Sequence, residues 1–160
     1  MKLTDDESYY YLQCLVDIKQ DALVQSMKKN IQHGCITTYS HCERVTYYSF
    51  WFANRLHLRM ESRSLIRGAF LHDFYLYDWH EKDSSHRLHG FHHSATALKN
   101  ASGRFVLNDV EKNIIYSHMW PLNISRVPKT REAVVVCMVD KLCSMGEIFR
   151  KGSTSKPDMH

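Results

Sequence analysis

Prolines number three and glycines six in a chain of 160 residues, so little in the sequence interrupts long helices. Cysteine occurs five times but never as a C-x-x-C pair. Cys14, Cys35, Cys42, Cys137 and Cys143 are scattered and odd in number, which argues against a zinc ribbon or a disulfide framework. Cys14 and Cys137 fall in apolar helical patterns and read as buried thiols, so a reducing, cytoplasmic compartment is expected. No apolar stretch approaches the roughly 20 residues that a membrane span needs. The longest, Ala133 to Val139, is far shorter, and the opening MKLTDDESYY lacks the apolar core of a signal peptide. Charge of one sign is not in excess either. With 21 Lys and Arg against 17 Asp and Glu, the formal charge of +4 is too weak and dispersed for a nucleic-acid groove, although it suits a small anionic substrate.

What is present describes a globular helical protein. The hydrophobic content of 44% is ordinary for a folded chain, and the length fits one domain. Apolar residues at helical spacing (Tyr9, Leu12, Leu15 or Val16, Leu23, Met27) predict a first helix over 5–30, stopped at His33-Gly34. A second is expected over 40–58 with Ser40 as its N-cap, a third over 62–76, and a fourth over 91–101, ended by Gly103. Asn108 with Glu111 three residues later is a capping-box start for a fifth. That helix must stop near Trp120, because Pro121 disfavours helical geometry in the residue before it. A sixth is expected over 129–148. The fold class is therefore all-α, a single bundle of about six main helices, with a flexible tail at 149–160.

Histidine is abundant, at 11 residues. One pair stands out in AFLHDFYLYDWH, where His72 and Asp73 interrupt a run of core-type side chains. Burying such groups without partners costs on the order of 2–7 kcal/mol for a polar group and more for a charge. Either a hydrogen-bonded core pair or a metal ion would offset that. Placed on the expected helices, further ligand candidates are His41, His93, His118 and Asp140, and the six together come from five helices. Imidazole and carboxylate suit iron, manganese, zinc or nickel, and a helical bundle can aim such groups inward. Asp140 follows an apolar run, which predicts that its carboxylate lies inside.

The order His, His-Asp, His, His, Asp resembles the HD superfamily of metal-dependent phosphohydrolases. The resemblance spans about residues 37–147 and is carried by TYSHCERV, AFLHDF, HGFHHSATALKNA, IIYSHMWPL and VVVCMVDKLCSMGE. It looks closest to small, stand-alone bacterial HD-domain proteins. It implies an HD domain over 37–148, with residues 1–36 packed on it as an N-terminal helix. It also implies two divalent metal ions (Fe, Mn, Zn, Ni or Mg) held by His41, His72, Asp73, His93, His118 and Asp140, with Asp73 as the bridge that positions an attacking hydroxide. Of the adjacent His92 and His93, His93 is the preferred ligand. His89 and His92 are candidates to support the ligands from behind or to lie exposed.

Two such cations lower the pKa of a water and clamp a phosphoryl group, so the expected reaction is hydrolysis of a small, nucleotide-like phosphoester. Lys82, Arg87 and Lys141 are candidate substrate contacts, as are Arg44, Lys99 and Arg131, and 77–89 is a candidate lid. The chain departs from the cyclic-dinucleotide phosphodiesterases of the superfamily: Phe-Tyr-Leu-Tyr-Asp-Trp follows the pair and no Gly-Tyr-Pro occurs. Alternatives with the same ligands are an HD-type di-iron oxygenase and a metal-stabilised binding module without turnover. No membrane or nucleic-acid polymer is an expected partner, and nothing in the sequence fixes the oligomeric state.

Overall fold

A computed structural model of the chain describes residues 2–33, 36–76 and 89–153. Its helices are α1 (Asp5–Cys14), α2 (Val16–Gln20), α3 (Ala22–Ser26), α4 (Thr38–Arg55), α5 (Ser62–Leu71), α6 (His89–Arg104), α7 (Asp109–Ser117) and α8 (Arg131–Ser153). Between α3 and α4 two short strands, β1 (Ile31–His33) and β2 (Ile36–Thr37), pair antiparallel, Ile31 opposite Thr37. The all-α expectation holds apart from this ribbon. No helix among the described residues is long and apolar enough to cross a membrane.

The expected first helix is three. Leu15 breaks it once, and Asp21 breaks it again by taking extended backbone and accepting the amides of Leu23 and Val24, an N-cap that starts α3. The chain then turns at Met27 rather than at His33, which lies in β1. Thr37, not Ser40, caps α4: its hydroxyl accepts from the Ser40 amide. The capping box at the start of α7 forms as the sequence predicts, Asn108 and Glu111 each accepting the other's amide at 2.9 Å.

Two apolar clusters fill the interior. One joins α1–α3 to α4, α5 and α6 through Ile18, Val24, Phe50, Phe70 and Ala97. The other joins α4, α5, α7 and α8 through Val45, Leu65, Ala69, Ile114 and Val136. Helices α4, α5 and α7 each contribute side chains to both. Arg67, buried on α5, donates to Glu111 of α7 at 2.9 Å and to both carboxylate oxygens of Asp17 of α2 at 2.7 Å. Gly68 lets α7 come close: a Cβ there would sit 2.7 Å from Ile114 Cδ1 and 3.0 Å from Ile114 Cβ.

Candidate metal centre

Five helices deliver the six ligand candidates to one buried region. His41 is the fourth residue of α4 and fully buried. Helix α5 stops at Leu71, so His72 is its C-cap and Asp73 lies in the turn beyond it; neither sits inside the 62–76 helix that the sequence suggested. The turn is fixed by Phe74 and Tyr75, whose rings are buried in the first cluster. On α6, His93 shares its inward face with Ala97 and Ala101, one and two turns on. His118 caps the C-terminus of α7. Along α8 the buried residues Ala133, Val136, Asp140, Cys143 and Glu147 repeat at spacings of three and four, so a single stripe carries Asp140 inward. Val134 and Met138, although apolar, face out.

The side chains form two triads around one shared carboxylate region. His41, His72 and Asp140 make the first, and Asp73, His93 and His118 the second, with the ligand atoms of each within 4.8 Å of one another. His41 Nε2 lies 3.0 Å from Asp140 Oδ1, and His72 Nε2 lies 3.6 Å from the same oxygen. Asp73 faces both triads. Its Oδ1 is 3.2 Å from His93 Nε2 and 3.4 Å from His118 Nε2. Its Oδ2 is 3.5 Å from His72 Nε2 and 3.9 Å from His41 Nε2.

The donor set fits cations. His72 Nδ1 donates to the Ala69 carbonyl at 2.6 Å, and His118 Nδ1 to the Ile115 carbonyl at 2.8 Å. His41 Nδ1 donates to Glu147 Oε2 at 3.0 Å. With the Nδ1 protons so committed, each ring would offer an Nε2 lone pair on the carboxylate side once it is neutral, the arrangement by which metal-ligating histidines are oriented. Among the described residues, His72 Nε2 and Asp73 Oδ1 are buried without a hydrogen-bond partner. Leaving such atoms unsatisfied costs about 1–3 kcal/mol each, and a cation between the acceptors removes that cost.

Without a cation, protons take over part of this role. Burial opposes charge on His41, but hydrogen bonds to Asp140 and Glu147 outweigh it and raise its pKa to about 10. Burial likewise opposes charge on His72, and the neighbouring Asp73 carboxylate pushes it well above the usual range. Burial disfavours the charged carboxylates too, yet His72 beside Asp73, and His41 and His72 beside Asp140, hold both far below the ordinary carboxylate value. Burial lowers His118.

The other candidates separate from this centre. His92 is exposed while its neighbour His93 is buried, so of the pair it is His93 that faces the other candidate ligands. His89 opens α6, but its side chain, like Lys82, Arg87 and nearly all of the 77–89 segment, lies outside the described residues. Lys141 donates to the carbonyls of His118 (2.8 Å) and Cys137 (3.1 Å), tying the end of α7 to α8. Arg44 donates to Glu147 at 3.1 Å, and Lys99 and Arg131 are exposed.

Two contributors escaped sequence reasoning. Glu147 follows Asp140 by seven residues, two helical turns, which is a signal the α8 stripe would have supplied. Gln32 of β1 had none: it donates to Asp73 Oδ2 at 2.7 Å from 41 positions away, while Thr38 (3.3 Å) and Tyr75 donate to its carbonyl oxygen.

Comparison of the chain with protein-family models, with curated proteins and with solved structures finds no match, so the site itself carries the functional argument.

Proposed function

We propose that the protein is a metal-dependent phosphohydrolase of the HD type, cleaving a small, nucleotide-like phosphoester. The observation that carries this reading is the two-sided Asp73, which turns one oxygen to each of two triads rich in histidine. Two divalent cations held there would polarise a phosphoryl group and lower the pKa of a water, the usual basis of phosphoester hydrolysis at paired metals.

The chain's own contribution is to arrange the donors. Ala69, Ile115 and Glu147 hold three Nδ1 protons, keeping three Nε2 atoms turned inward. Gln32 fixes the carboxylate plane of Asp73. Lys141 holds His118 at the helix end through its carbonyl. All six ligands are buried, which keeps bulk water from competing for them. Lys82 and Arg87, between Asp73 and His93 in the sequence, are the proposed phosphate contacts.

The test is a screen of metal-reconstituted protein across nucleotides, cyclic nucleotides and generic phosphoesters, with Asp73→Ala as control. Phosphate or alcohol release by the parent and not by the control is the expected result. Release that persists in the control would be a contaminant's. With both metals confirmed bound, silence across the panel together with O₂ consumption by the iron form would replace the hydrolase with an oxygenase. Silence in both assays would leave a binding module.

A further inference from the structure

Glu147 is buried with no place among the six ligands, and the contacts it makes distinguish one triad from the other. Its Oε2 accepts from His41 Nδ1 at 3.0 Å and its Oε1 accepts from Arg44 at 3.1 Å. His72 and His118, at C-caps, lean instead on carbonyls three residues back in their own helices. His41 lies in the first turns of α4 and takes its support from α8, which therefore holds this ring from both sides: Asp140 at Nε2 and Glu147 at Nδ1.

The two kinds of support are chemically unequal. A carboxylate behind an imidazole increases its basicity and its donation to a metal, and loss of such a partner typically lowers affinity by roughly 10–100-fold. Formal charge points the same way. The His41 triad owns Asp140, shares Asp73 and has Glu147 behind it. Among its own three ligands the Asp73, His93 and His118 triad counts one carboxylate, the shared Asp73.

We infer that Glu147 is a positioning residue that makes the His41, His72 and Asp140 position the tight one, so that the two positions load in sequence. This rests on the binuclear reading above but concerns metal affinity, not turnover. Arg44 moderates the effect, because it draws on the same carboxylate.

The experiment is a Co(II) titration of metal-free protein followed by visible absorption and calorimetry, with no substrate present. The parent should show two separated steps. In Glu147→Gln, which keeps an acceptor and nearly the same volume, the first step should weaken by about 10–100-fold while the second stays in place, bringing the two together. Arg44→Gln leaves the carboxylate to His41 and should keep or tighten the first step. Helical circular dichroism monitors folding in both variants. Unchanged steps in Glu147→Gln, or equal weakening of both, would overturn the inference. So would a fall in Arg44→Gln matching that in Glu147→Gln, since the ion pair would then be a clamp between α4 and α8 and nothing more. A parent that takes up no cobalt would overturn the binuclear reading itself, a result separate from the others.

Discussion

Replacing Gly68 by alanine tests how closely α5 and α7 must approach for the centre to form. Two terms oppose one another. Alanine is favoured over glycine inside a helix by about 1 kcal/mol. Against that, the new methyl would stand 2.7 Å from Ile114 Cδ1, 3.2 Å from Ile114 Cγ2 and 3.0 Å from Ile114 Cβ. A change of rotamer can move the first two atoms but not the third, so relief requires the helices to separate. Overpacking of this kind costs about 1–3 kcal/mol, and at a contact this short the upper part of that range applies, leaving a net loss of roughly 1–2 kcal/mol. For a chain of this size that lowers the thermal midpoint by roughly 2–8 °C. Because α5 delivers His72 and Asp73 and α7 delivers His118, the variant should also gain less stability from added metal than the parent does.

A second substitution sharpens the assay. Ile114→Val alone should cost about 0.5–1.5 kcal/mol through the lost methyl. In the Gly68→Ala background it removes the atom at 2.7 Å, so the same change should be neutral or stabilising. Denaturant unfolding of the four proteins, with chelator and with metal, gives the coupling directly. A Gly68→Ala protein as stable as the parent, or additive behaviour in the double variant, would refute the close-approach argument.

Three other outcomes follow from the same geometry. Asp73→Ala should leave no tightly held metal and His118→Ala about one ion per chain, as read by elemental analysis; two ions retained in the Asp73 variant would dismiss the shared carboxylate. In chelated protein His41, raised to about 10, and His72, also raised, stabilise the fold fully below their ordinary value near 6.5. That contribution fades as pH climbs towards 10, whereas metal binding strengthens as its ligands lose protons, so the gap between loaded and chelated melting midpoints should widen from pH 6.5 to 9. Arg67→Met strands the buried Glu111 and should cost about 3–5 kcal/mol in denaturant titrations, far more than Arg55→Met at the exposed pair with Glu7.

Local chemistry made part of this molecule legible before any coordinates. The capping box at Asn108, the burial of Asp140 behind its apolar run, and the six candidate ligands depend on residues close in sequence or on a recognisable order. The interruptions at Leu15 and Asp21 were hidden because apolar residues keep helical spacing across the breaks, while Asp21 diverts the backbone with its own carboxylate. Thr37 displaced Ser40 as the cap because β2 already holds it extended. The apolar pattern carries the third helix on through His72 and Asp73, yet it is the end of α5 at Leu71 that frees Asp73 to face two ways. Gln32 was illegible for a different reason: only the folded chain brings β1 over the turn after α5, and no periodicity in either segment records that meeting.

The sequence separations within the centre also set an order of assembly. His93 and His118 are 25 positions apart, whereas His41 is separated from Asp140 by 99 and from Glu147 by 106. Closing the longer loops costs more chain entropy, and contacts that distant form late. A polypeptide emerging from synthesis possesses all of the Asp73, His93 and His118 triad before α8 exists, so this triad is the first whose side chains are all available. The His41 and His72 triad waits for the last helix, and its completion by Asp140, with Glu147 behind His41, is the contact that ties the two ends of the centre together.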